Sequence, residues 1–291
     1  MVLSAFFFCL MTIFVKLAGS ELDAIQIVFF RGVFTLLTTY YLIKKHKVSI
    51  WGKHRNILFL RGIIGSIALF FVYESLQRFS VPEATVIQYL YPIFTAIFAV
   101  FLLNEKLSIF IFGSILLGLI GVYTIFGFPF ILTDQSLNFE DLMVALVGAC
   151  LTGAAYVLVR KASNLGESPY TIMFYFPLFS VLLSLPFIYS NWILPSSTSW
   201  IYILFIGIFT QFGQLFLTFG YKLLPARKAS STSYIQVPFS IAAGVLIFNN
   251  PLTVHFIIGS LLIFLSIFAV MDDRKQNIGY LQLKRSSDED N

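Results

Sequence analysis

The chain has 291 residues, is 58% hydrophobic and only 11% charged, and carries a formal net charge of +5. A soluble domain usually has about 25% charged residues, and a water-soluble fold of this length would lack the polar surface to cover itself. Composition therefore excludes an ordinary soluble enzyme or binding module and makes lipid the solvent.

Apolar runs of the length needed to cross a hydrocarbon core of about 30 Å follow one another along the chain. The first, Val2–Leu17, starts without the positively charged region that opens a secretory leader and reads as a membrane helix. Ala24–Ile43, Ile57–Leu76, Ala84–Leu103 and Ser108–Phe126 complete a first set. Leu142–Val159, Tyr170–Ile188, Trp200–Gly220, Ser231–Phe248 and Val254–Met271 form a second. The short alternating segments of a β-barrel do not occur in this pattern. The expectation is an all-α polytopic membrane protein with ten transmembrane helices. Residues 1–126 form one five-helix unit and 140–271 a second. The polar stretch 272–291 reads as a disordered cytoplasmic tail.

The loops between these runs carry the orientation. With the N-terminus inside, 15 of the 19 Lys and Arg fall on the cytoplasmic side, among them Lys44, Lys45, Lys53, Arg160, Lys222 and Arg227, and only Arg78 falls outside. Positive residues mark cytoplasmic loops. Both termini are expected in the cytoplasm, and the location expected is the inner (cell) membrane. Charges spread over separate short loops give no footprint for nucleic acid. Cys9 and Cys150 lie inside runs without metal-ligand spacing, and His46, His54 and His255 are scattered, so no metal or other cofactor is expected.

The two sets of runs echo one another. Pro92 matches Pro238 and Gly113-Ser114 matches Gly259-Ser260 at a spacing of 146, with Asn104 against Asn249 at 145. An odd number of crossings per half inverts the second half relative to the first, the arrangement of many secondary transporters.

Polar residues inside apolar runs are costly, and they face protein or water. Gln88, Tyr91 and Thr95 share one helical face, Ser233, Gln236 and Ser240 repeat that spacing 145 residues on, and Gln211, Gln214 and Thr218 repeat it again. These stripes fit either interhelical hydrogen bonds or a cavity lining, with Tyr89, Tyr156 and Tyr234 as aromatic walls. Among the charges, Arg31 and Glu74 both lie at least about 20 Å from the inner face at 1.5 Å per residue. They read as a fixed ion pair, as a substrate or proton-coupling site, or, for Glu74, as a side chain that reaches the outer interface, with Lys16 at similar depth. Arg61, near the inner face, is expected to snorkel to the headgroups. The many phenylalanines are expected to face lipid. Gly62, Gly65, Gly113, Gly118 and Gly121 allow close helix contact.

Phe30-Arg31-Gly32, the run Leu76 to Thr85, Tyr91-Pro92-Ile93-Phe94-Thr95 and Asn104-Glu105-Lys106-Leu107 resemble the EamA-type drug/metabolite transporter superfamily. Through Leu60-Arg61-Gly62 and Gln77 to Thr85 the chain is most similar to its carriers of the S-adenosylmethionine uptake type. The resemblance covers Val2 to Met271 and implies two inverted EamA repeats around a central cavity. It departs from the family where Asn250 stands opposite Glu105 and where the third run ends Glu74-Ser75-Leu76. No nucleotide-binding loop of the GxxxxGK[ST] type occurs, and no span carries a paired acid and base or a nucleophile motif. The expectation is a non-enzymatic carrier of a small organic molecule, an amino acid or an S-adenosylmethionine-like zwitterion. An exporter of drugs or other metabolites is the alternative, and a homodimer is left open. The expected substrate residues are Gln88, Tyr91, Thr95, Tyr156, Gln211, Gln214, Tyr234 and Gln236.

Overall fold

Residues 1–79, 81–105, 108–128, 138–188, 192–248 and 253–269 are described by a computed structural model, and every regular element among them is helical. The first half comprises α1 (Val2–Ala18), α2 (Ala24–Lys45), α3 (Arg55–Arg78), α4 (Val81–Gln88), α5 (Tyr91–Leu103) and α6 (Ile109–Ile125). The second comprises α7 (Phe139–Asn164), α8 (Pro169–Ile188), α9 (Ser197–Leu223), α10 (Ala226–Thr232), a 3-10 turn at Ser233–Ile235, α11 (Gln236–Phe248) and α12 (Val254–Ala269). The polar tail lies outside the described residues, as does Asn250.

Local chemistry sets the helix ends. Ser108 and Ser196 accept hydrogen bonds from Ile111 N and Ser199 N, each at 3.2 Å, and so satisfy free amides at the starts of α6 and α9. Asn138 does the same for Glu140 N at 3.0 Å. Asn104, at φ 54°, closes α5 in the left-handed conformation that Asn tolerates.

Two expected spans are broken. The fourth is interrupted at Tyr89–Leu90, between α4 and α5, and the ninth at Ser233–Ile235. Proline supplies the cause: it has no N–H and its ring displaces the carbonyl four residues back. Pro92 and Pro238 thereby release the carbonyls of Gln88 and Tyr234, each at its break. The breaks correspond at 145 residues and meet in space. The Tyr234 hydroxyl donates to the Tyr89 carbonyl at 3.2 Å, with the rings 5.7 Å apart.

Six helical segments are long and apolar enough to cross a membrane: 24–45, 55–72, 84–103, 139–164, 169–188 and 197–223. Val2–Ala18, Ile109–Ile125 and Val254–Ala269 are shorter apolar helices. The bundle wears its apolar side chains outward, with Phe101, Ile109 and Leu246 more than three-quarters exposed. Many phenylalanines nevertheless turn inward. Phe7 stacks on Phe212 and Phe216 with centroids 5.1 and 5.7 Å apart, and Phe14 on Phe205 at 4.8 Å. This seam joins α1 to α9, because flat rings on two facing helices bury more area against each other than against mobile chains.

Packing runs mainly between halves rather than within them. The main pairs map onto one another when the halves are exchanged: α3 on α7 with α9 on α1, α5 on α7 with α11 on α1, and α3 on α8 with α9 on α2. The pair α2 on α8 maps onto itself. α6 and α12 meet backbone to backbone, since a β-carbon on Gly121 would lie 2.8 Å from the Gly259 carbonyl oxygen. Gly118 packs under Tyr234 and Gly62 under Phe179, whereas Gly113 has open space beside it.

Candidate functional site

A cavity of about 300 Å³ lies between the halves, at the lower end of the range for small-molecule sites. Of the residues expected to bind substrate, Gln88, Tyr91, Tyr156, Gln214 and Gln236 line it, together with Arg31. They come from six different elements, three in each half. Gln88 Nε2 donates to Thr152 Oγ1 on α7 at 3.1 Å, a link across the halves at the cavity wall. A chain of rings runs along the wall: Tyr221 on Tyr156 at 5.1 Å, Tyr156 on Tyr91 at 5.3 Å, Tyr91 on Tyr89 at 6.0 Å, then Tyr234.

Three expected residues stand behind the wall. Thr95 is fully buried and its hydroxyl donates to the Tyr91 carbonyl at 2.8 Å. Gln211 joins α9 to α2, accepting from Thr38 at 3.0 Å and donating to Thr39 at 3.1 Å. It borders a smaller void beside Gln214. Tyr234 is buried at the crossing of the two breaks. A stripe on one helical face thus divides by depth in the packing, which spacing alone does not reveal.

The charges differ most from expectation. Glu74 does not pair with Arg31. It accepts from Arg78 at 2.8 Å one turn on, and Arg78 also donates to Asp141 at 2.8 Å, joining α3 to α7 near the end of the bundle. Arg78 is the nearer partner because it lies at i+4 on the same helix. These contacts raise the Arg78 pKa, with Asp141 the larger cause and Glu74 next. Arg31 reaches the Met11 sulfur at 3.9 Å. Arg61 does not snorkel. It is 4% exposed, lines the cavity, and its guanidinium lies 5.0 Å over the Phe176 ring. Gly65 gives it room, because a β-carbon there would collide with Arg61 Nη1. Among the described residues no carboxylate lines this cavity and no group of His, Cys, Asp or Glu is placed to hold a metal ion.

At both ends of the bundle a carboxylate reaches from one half to the other. At one end Glu21, between α1 and α2, accepts from Ser196 N at 2.8 Å and Ser196 Oγ at 2.7 Å, and from Ser199 Oγ, at the start of α9. These bonds, Ser199 first, hold its carboxyl below the ordinary value of 4.5. Gln26 bonds the Ile193 backbone at the same end. At the other end Glu167, between α7 and α8, accepts from Lys53 N at 2.7 Å and His54 N at 2.6 Å, with His54 Nδ1 at 3.1 Å, at the start of α3. Thr171 and Tyr175 donate to the Ser49 and Trp51 carbonyls at 2.8 and 3.0 Å. Glu105 caps α10 through Ala226 N at 2.9 Å. Glu21 and Glu167 stand 146 apart, the spacing of the proline and glycine matches. That offset was the available signal for this pair.

An apolar-coated helical bundle around a cavity that holds arginine, glutamine and tyrosine side chains is the architecture of a multi-pass membrane protein. The chain belongs to the EamA-like transporter family, whose model matches residues 1–127 and 141–271. It is 27% identical over 275 residues to the pseudopaline exporter CntI of Pseudomonas aeruginosa, covering 94% of this chain and 95% of that protein. Solute carrier family 35 member G1 of Homo sapiens is 29% identical, covering 85% and 71%. The S-adenosylmethionine uptake transporter of Rickettsia prowazekii is 26% identical, covering 81% and 78%. A solved crystal structure shares the fold with a TM-score of 0.78 at 18% identity, covering 94% of this chain and 97% of that one. Membership and these relatives make the protein a membrane transporter.

Proposed function

We propose that this protein is a secondary carrier that moves a small organic metabolite by alternating access between two inverted five-helix halves. The observation that supports this most is the cavity itself. Both halves build its wall, at the place where two corresponding helices break. Interrupted helices that meet near the bilayer midplane are a device for holding substrate between rocking repeats. Counting α4 with α5, and α10 with α11, supports the reading of ten crossings in units 1–126 and 140–271. The exchange symmetry of the packing supports the inversion. The basic loops support a topology with both termini in the cytoplasm of an inner-membrane protein.

In this reading Gln88, Tyr91, Tyr156, Gln214 and Gln236 meet the substrate, while Thr95, Gln211 and Tyr234 hold the wall in shape. An amino acid or an S-adenosylmethionine-like zwitterion is within the size of the cavity. Similarity to an exporter and to an uptake carrier supports either direction of net movement, which the gradient then decides. The test is counterflow in proteoliposomes loaded with amino acids, carboxylic acids or S-adenosylmethionine, each followed with its own label. Saturable exchange of one class is expected. Gln88→Ala and Gln236→Ala should each reduce that exchange about tenfold without reducing membrane insertion, since each removes a hydrogen-bonding amide from the cavity wall. Wild-type kinetics in both variants would remove these residues from the site.

A further inference from the structure

We propose that the substrate is an organic acid with net negative charge, a di- or tricarboxylate or an acidic amino acid, anchored by Arg61 and Arg31. This rests on the carrier reading of the cavity. The two guanidinium groups are the charged side chains of the wall, and no carboxylate among the described residues faces them. Arg61 Nε and Nη1 are buried without a hydrogen-bond partner. A buried charge without a partner is costly, and removing the counter-charge from such a pair is among the more destabilising changes known. The Arg61 guanidinium lies over the Phe176 ring, a contact that leaves its N–H groups unpaired. The edge of a guanidinium matches a carboxylate through two parallel hydrogen bonds. Gln88, Gln214 and Gln236 add amide groups and the tyrosines add hydroxyls, which suit further carboxyl oxygens. A cation such as S-adenosylmethionine, with one carboxylate against an ammonium and a sulfonium, would add positive charge to a wall that already holds two.

The experiment measures unfolding temperature of the purified full-length chain against succinate, citrate and glutamate, with S-adenosylmethionine and agmatine as cations. Saturable stabilisation by at least one acid and by neither cation is expected. Arg61→Gln should raise the half-effective concentration by about tenfold or more, and Arg61→Lys by less. Gly65→Ala keeps every charge but pushes the guanidinium aside, so it should weaken the same acid and carries the test if Arg61→Gln fails to insert. Stabilisation by the cations, or by none of the acids, would overturn the proposal. The two readings fail separately. Exchange of a cation in proteoliposomes keeps the carrier and removes the acid, and an acid that binds but never exchanges does the reverse.

A second inference has independent support. We infer that Glu21 and Glu167 are equivalent clasps, one closing each mouth of the cavity. They stand 146 apart at opposite ends of the bundle, and each crosses to the other half to cap the start of its third long helix, α9 or α3. Opening one mouth separates the halves at that end and must break that clasp, while the other is kept. With Cys9 and Cys150 replaced by Ala and Gln88→Cys as a cavity reporter, each clasp is locked by a disulfide in turn. One pair is Glu21→Cys with Ser199→Cys, and the other Glu167→Cys with His54→Cys. A membrane-impermeant maleimide should then fail to label the reporter from the locked end, still label it from the other, and regain access on reduction. Labelling through a locked end at the unlocked rate would overturn the assignment.

Discussion

Glu21 is the residue whose contribution can be read most directly from pH. Its folded carboxyl titrates below the ordinary value because Ser199 and Ser196 donate to the charged form. A depressed folded pKa gives stability that is complete above the unfolded pKa, here near 4.5. That stability is lost as the pH falls through the folded value. The wild-type protein should therefore lose thermal stability on acidification through this range, and Glu21→Gln should flatten that part of the profile. Asp23 is the neighbouring acid in the same loop, and Asp23→Asn serves as the comparison. If Glu21→Gln leaves the profile unchanged, the bonds to α9 do not hold in the membrane. At this scale the types and spacing of Gln88, Tyr91 and Gln236 already mark polar faces, and these residues line the cavity. The sequence reading failed for Arg61, because depth along a helix says nothing about the direction around it. The Gly65 four residues on, which makes room for the side chain, read equally well as a packing glycine.

Among the elements, α6 and α12 give the sharpest test of backbone approach. Gly121→Ala should push these helices apart and cost about 1–3 kcal/mol, as overpacking of close contacts does. Gly113→Ala has open space beside it and should be neutral or stabilise by about 0.5–1 kcal/mol through helix propensity. Denaturant unfolding of the two variants in detergent separates the outcomes, and equal effects would mean that α6 and α12 do not touch. The helices themselves were legible, since apolar runs bounded by polar loops leave the backbone little else to form in lipid. The two breaks were partly legible through Pro92 and Pro238. That the second takes a 3-10 turn and a separate α10 was not, because Ser and Thr neighbours permit helix and turn alike. The inward stacking of Phe7 and Phe14 on α9 was hidden for a similar reason: phenylalanine is as apolar toward lipid as toward another ring.

For the whole molecule, the repeat was legible where its residues are chemically unusual for a membrane helix, at proline, glycine and asparagine. The Glu21 and Glu167 match escaped because acidic residues are ordinary in loops, so nothing but the offset distinguished them. The cavity was less legible than the repeat, since it depends on which stripes of separate helices converge, a property of packing between segments far apart in the chain. Tyr89 and Tyr234 are corresponding residues that touch each other. The rings of these equivalents meet where the halves exchange, although the hydrogen bond runs one way, from the Tyr234 hydroxyl to the Tyr89 carbonyl. In the alternating-access reading proposed above, the two end states would share that ring contact. Loosening it alters how firmly the halves are joined and the rate at which they exchange roles, while the balance between the states stays put. Away from that meeting point, Glu21 or Glu167 alone weights one state against the other. In that reading the speed of exchange is set at the centre of the molecule and its bias at the rims.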